Sequence, residues 1–221
     1  MKSGRDPISP VFPFLDSKDR SPFVLPLFPL HTVLYPGGCL PLKVFEQRYV
    51  EMTKACIGDE RPFGVCLITE GSEVADPAKG AVVAPQFASI GTLAAITSWD
   101  MPQLGIFHVR TIGGARFQVR SHTIQPSGLL VGEVTLIADE PAVVLPDAHR
   151  PLAALLRVLI ERIGADHFAP ARAFDDASWV GYRLAELLPL PPGIKQSMLE
   201  INDSEVRLLV LSKFLRQQAL I

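Results

Sequence analysis

Few side chains in this sequence have the type and spacing that chemistry requires. The five histidines, His31, His108, His122, His149 and His167, form no H-x-x-x-H or H-E-x-x-H pair, and Cys39, Cys56 and Cys66 show no C-x-x-C spacing. The sequence therefore lacks the usual zinc-holding patterns. His108 and His122 read as polar positions on neighbouring strands, which explains them better than a shared metal. A phosphate-gripping G-x-x-x-x-G-K-S/T string does not occur, and Gly113-Gly114 has neither the following lysine nor a strand-to-helix setting. Glu46 and Arg48 fall at the start of an expected helix. A carboxylate is favoured there, and the arginine is placed to bond loop carbonyls or Glu46. Arg116, on a strand beside glycines, reads as a pin between two layers of the fold. Asp175 and Asp176 are adjacent, so on a helix their side chains diverge, and capping suits them better than acid–base work. No catalytic residue, metal or cofactor is expected.

The elements that would position these residues come from a chain of 221 residues, long enough for one large domain or two small ones. Nearly half of it is apolar, which excludes disorder throughout. With 21 basic and 23 acidic residues, no basic field covers the protein, and nucleic acid is disfavoured as a partner. Three cysteines leave one over from any pairing, and all sit in apolar contexts, as free thiols do in a reducing compartment. The early apolar run is broken by Pro10 and Pro13, so no signal peptide is evident, and no stretch approaches the roughly 20 apolar residues of a membrane span. The expected location is the cytoplasm, away from membranes.

Residues 1–21 read as a flexible arm whose Phe12, Phe14 and Leu15 are able to dock on this copy or on a neighbour, as in a homodimer. In residues 25–30, leucines alternate with Pro26 and Pro29. Proline gives no N–H to a ladder, so an edge or isolated strand is expected. Tyr35-Pro36-Gly37-Gly38 is a turn, residues 39–44 a short strand, and Phe45, Tyr49, Met52 and Cys56 fall on one helical face. Residues 63–69 make a buried strand. Strands at 90–96, 104–112, 116–124 and 129–138, separated by glycine and proline turns, indicate a meander curling into a barrel. From 141 the pattern turns helical. Asp147 is the expected N-cap of a first helix ending at Gly164, and Asp175 or Asp176 caps a second. Pro191 and Pro192 open a third, and an Asn202/Glu205 capping box opens a fourth. The expected division is an arm at 1–21, a β barrel with one helix at 22–140, and a helical part at 141–221.

Several of these pieces, in this order, resemble the N-terminal, substrate-binding domain of the Lon protease family, including its free-standing forms. They are P-L-F-P-L at residues 26–30, Tyr35-Pro36-Gly37, Leu40-Pro41-Leu42, and F-E-x-R-Y at Phe45, Glu46, Arg48 and Tyr49. Further matches are I-G-T-L-A at residues 90–94, the G-x-x-R-F-x-V of residues 113–119, and the helical segments from Trp179 to Leu208. The resemblance covers about residues 23 to 216. It implies an α+β fold, a PUA-like β pseudobarrel packed against a C-terminal helical bundle. It also implies a non-enzymatic role in substrate recognition associated with proteolysis, since the ATPase and protease modules of Lon have no counterpart here.

The connection at residues 98–105 departs from the family by carrying Trp99 and Met101. At an exposed hairpin tip these would form an apolar patch of the kind that binds unfolded polypeptide or a protein partner. Folded back onto the helices, they would be core. An RNA-binding reading rests on Arg110, Arg116 and Arg120 on neighbouring strands of a PUA-like barrel. A small-molecule pocket between barrel and helices is the third reading, with no nucleophile or base to support it.

Overall fold

A computed structural model of the chain describes residues 20–73, 85–164, 168–169 and 172–218. The expected arm lies outside them except for Arg20 and Ser21, as do His167 and Pro170 of the loop before the second C-terminal helix. The strands are β1 (Phe23–Leu30), β2 (Cys39–Val44), β3 (Phe63–Glu70), β4 (Gln86–Phe87), β5 (Ile90–Gln103), β6 (Ile106–Ile124) and β7 (Leu130–Leu136). Helix α1 (Gln47–Gly58) lies between β2 and β3. Pairing runs β1-β7-β6-β5-β3, and a parallel ladder from β3 back to β1 closes the ring. β2 lies on an edge of β6 and β4 on β3. A mostly antiparallel sheet closed on itself, with helices beside it, gives the α+β architecture expected.

β1 corrects the edge-strand expectation. It has neighbours on both sides, but over different halves: β7 pairs with Phe23 to Leu27 and β3 with Leu27 to Leu30. Pro26 and Pro29 therefore each face a ladder on one side only, and Leu27 alone is paired on both. The proline rule holds position by position while the strand still helps to close the barrel.

The strands expected at 104–112 and 116–124 are one continuous strand, β6. Gly113 is not a turn residue. It sits where β2 leaves the edge of β6 and before β7 takes it over. The turn after Tyr35 fills this gap, with Gly37 N–H donating to Gly113 O and Gly113 N–H to Gly38 O, both at 2.8 Å. A Cβ at Gly113 would lie 2.0 Å from the Tyr35 carbonyl oxygen. Glycine is needed there for close approach. The merged strand also overturns the placing of His108 and His122 across two strands, since they stand near opposite ends of β6.

Past the barrel come α2 (Arg150–Ile163), α3 (Ala177–Leu187), α4 (Pro192–Glu200) and α5 (Ser204–Gln217). Asp147 does not cap α2. It starts a 3₁₀ turn, Asp147–His149, and pairs with Arg150 at 2.6 Å. A helix capped at Asp147 would require its first intrahelical N–H from Pro151, which has none. Asp176 caps α3 by accepting from Trp179 N–H. At α5 the cap is Asp203, accepting from the N–H of Glu205 and Val206, and not Asn202, whose side chain accepts from Arg116.

Leu27, Leu93, Phe117, Leu130 and Val134 fill the barrel. Tyr49, Met52 and Cys56 of α1 cover a second cluster with Phe28, Phe63 and Val109, and the rings of Phe28 and Tyr49 stack at 4.0 Å. Phe45, expected on that helical face, precedes the helix and is exposed. The helices bury Leu152, Leu156, Trp179, Leu184 and Leu211, and Tyr35 and Leu67 of the barrel join that cluster. Arg48 donates to Gly128 O at 3.1 Å and Glu73 O at 3.3 Å and pairs with Glu46 at 3.0 Å, tying the α1 start to the loops around it.

Candidate polypeptide-binding surface

The β5–β6 hairpin outruns the barrel. Its ladder continues through Trp99↔Val109 and Asp100↔His108 to Gln103↔Ile106, leaving only Leu104 and Gly105 as the turn, with Gly105 at φ +82°. The connection expected at residues 98–105 is thus mostly strand. Register alternation puts Trp99 on the face of the buried Val109, and its ring lies 5.8 Å from that of buried Phe107. The apolar face of the strands continues outward past the point where anything covers it among the described residues. Trp99 is 52% exposed, Met101 39% and Leu104 90%.

This tip does not fold back onto the C-terminal helices. They meet β5 at its other end, where Gln196 Nε2 donates to Ile90 O at 2.9 Å. Trp99 lies nine residues further, about 30 Å along a strand. The sequence singles out Trp99 and Met101 in this connection and not Leu104, the most exposed of the three. The pair Leu104-Gly105, with a glycine able to take positive φ, is the signal that marks it as a turn residue.

The seam between barrel and helices, where the third reading put a pocket, is crossed by buried side chains. Arg116 Nη1 donates to the carbonyls of Leu199 at 2.9 Å and Ile201 at 3.2 Å, and Arg116 faces Glu140 at 3.7 Å. Glu140 also accepts from both terminal nitrogens of Arg207, from Tyr182 Oη at 2.6 Å and from Ser178 Oγ at 3.0 Å. Burial alone would raise this carboxyl. The hydrogen bonds and charge of Arg207, with Tyr182 and Arg116, outweigh it and hold Glu140 below the ordinary range. Nearby, Tyr35 O–H donates to Lys195 O at 2.8 Å and Arg183 to Pro36 O at 3.1 Å. Arg116 is 4% exposed, so it adds nothing to a basic surface with Arg110 and Arg120.

An open groove lies elsewhere, between the first half of β1 and the far end of α1. It has a volume of about 720 Å³ and is lined by Phe23, Val24, Met52, Ala55, Cys56 and Leu129 among others. Among the described residues, no group of three or more His, Cys, Asp or Glu side chains is placed to hold a metal ion.

A family model for the ATP-dependent protease La (LON) substrate-binding domain matches residues 24–217. The chain is 36% identical to a Lon N-terminal domain protein from Xanthomonas campestris, whose crystal structure it matches with a TM-score of 0.69 over 86% of this chain and 98% of that one. It shares its fold with the N-terminal domain of a Mycobacterium avium complex Lon protease, at 19% identity and a TM-score of 0.56, over 86% of this chain and 96% of that one. Among full proteins, it is 27% identical over 214 residues to the Lon protease of Anaeromyxobacter dehalogenans and to Lon protease 2 of Myxococcus xanthus. These alignments cover 93% of this chain but 24% and 25% of theirs. The chain spans about a quarter of the length of the curated relatives it matches. With the match running from β1 through α5, the chain belongs to the family of the Lon substrate-binding domain.

Proposed function

We propose that this chain is a non-catalytic module that takes up unfolded or loosely folded polypeptide at the tip of the β5–β6 hairpin. The observation that carries the proposal is the exposure of Trp99, Met101 and Leu104 on one hairpin, at the end of β5 remote from the C-terminal helices. Family membership supports a binding role, and Trp is the residue type most enriched at energetically dominant contact points. Because Trp99 leans on Phe107, it offers a large apolar face without much loss of side-chain freedom on binding. Contacts of this kind are weak and tolerant of sequence. The bound segment would be passed to a protease or another protein partner. Cytoplasmic placement is supported by the free thiols of Cys39, Cys56 and Cys66. Among the described residues, no helix is long and apolar enough to cross a membrane.

The test is fluorescence anisotropy with labelled, reduced casein as the unfolded chain. Saturable binding is expected, little changed by salt and not competed by folded proteins. Replacing Trp99→Ser and Met101→Ser together is expected to weaken it about tenfold, the equivalent of about 1.4 kcal/mol. Undiminished binding by that double variant would rule out the hairpin tip as the site.

A further inference from the structure

The groove beside β1 has two properties that a surface hollow does not need. Its floor continues the core, since Met52 and Cys56 belong to the cluster under α1, yet its rim leaves Val24 65% exposed beside Phe23. It also borders an open sheet edge. Phe23 to Pro26 pair with β7 on one side, and among the described residues no strand pairs with the other, because the β3 ladder starts only at Leu27. An open edge above an apolar hollow accepts an extended apolar segment.

The chain enters this hollow's rim from its own N-terminal side, since Phe23 and Val24 are the first residues of β1. Immediately upstream, Val11-Phe12-Pro13-Phe14-Leu15 is apolar, with Phe12 and Phe14 alternating at the spacing of one strand face. Between the two lie Asp16-Ser17-Lys18-Asp19-Arg20-Ser21-Pro22, seven polar or turn-forming residues. Seven residues reach roughly 23 Å when extended, ample for a return beside β1 at the roughly 4.8 Å spacing of neighbouring strands. The volume of about 720 Å³ falls within the roughly 300–1,000 Å³ of sites that bury most of a small ligand.

We infer that this groove is the docking site of the chain's own residues 11–15, with Phe12 and Phe14 set over Met52 and Cys56. Pro26 withholds one N–H from the edge, so the side chains hold the segment more than the ladder does. The proposal does not depend on polypeptide binding at the hairpin.

Cys56 reports on it directly. It lines the groove, and burial pushes its thiol up to about 11, so little thiolate is present near neutral pH. In the full chain carrying Cys39→Ser, with Cys66 enclosed in the barrel, alkylation by an uncharged maleimide is followed by mass spectrometry. Replacing Phe12→Ser and Phe14→Ser is expected to speed Cys56 modification about tenfold, and a synthetic peptide of residues 8–17 to slow it again. Amide exchange at Val24 and Leu25 is expected to rise in the same variant. Unchanged alkylation and exchange would overturn the proposal. Protection in the parent chain that falls on dilution would also overturn it, in favour of the arm of a second copy.

Discussion

Glu140 is the residue on which the seam depends. It accepts from Arg207, which is fully buried, and faces Arg116 at 3.7 Å. Removing one member of a buried ion pair strands the others, at a cost of about 3–5 kcal/mol. Glu140→Gln is expected to lower the urea-unfolding free energy by about that amount. Because the folded carboxyl lies below its ordinary range, its contribution is complete above the unfolded value and is lost as pH falls through the folded one. Acid should therefore weaken the parent more than the variant. The alkaline side belongs to the tyrosines. Burial raises all three, Tyr49 to about 12 and Tyr35 and Tyr182 well above the usual phenol range. A folded protein held just above pH 10 is expected to show little tyrosinate absorbance. The unfolded chain ionises first, so stability declines as pH rises above about 10. Tyrosinate appearing before the loss of circular dichroism would contradict this burial.

Two elements carry separable expectations. At the start of α5, Asp203→Ala removes an N-cap and should cost about 1 kcal/mol. Asn202→Ala acts through a different layer, leaving Arg116 short of an acceptor on the barrel side. Thermal unfolding of each single variant, and of Asn202→Ala in an Arg116→Met background, distinguishes the two. The Asn202 effect should shrink when Arg116 is gone, and the Asp203 effect should not. In β6, Gly113→Ala drives a methyl into the Tyr35 carbonyl and is expected to cost about 3 kcal/mol or more by urea unfolding. Much of this was legible in the residues themselves. Asp176, Pro192 and Gly164 announce helix ends by local rules, and these rules held. Asn202 and Asp147 satisfied the same local rules and failed, because a guanidinium from another layer and a proline four residues on decided the outcome.

Residue 140, expected to close the barrel part, is the point at which barrel and helices are most firmly joined. Arg116 from β6 reaches Leu199, Ile201 and Asn202, and Arg207 from α5 reaches back to Glu140. Heating is therefore expected to melt the sheet and the helices in one transition, with far-UV circular dichroism and tryptophan emission coincident. Trp99 reports on the hairpin and Trp179 on the helices. An early separate loss of helix would show that residues 22–140 and 141–221 fold apart.

Local chemistry settled where most strands, turns and helices of this protein lie. Proline-paced β1, the Tyr35-Pro36-Gly37 turn and the spaced motifs that resemble the Lon substrate-binding domain are short-range patterns, readable because propensity and turn geometry act over a few residues. Those patterns also marked Trp99 and Met101 as unaccounted for. Only the tertiary structure decided that β6 is unbroken through Gly113, that Arg116 is buried in the seam, that Leu104 heads an exposed hairpin, and that an open groove lies beside β1. Each of these turns on contacts between residues tens of positions apart, where the same glycine or arginine takes its role from whatever the closed barrel brings beside it.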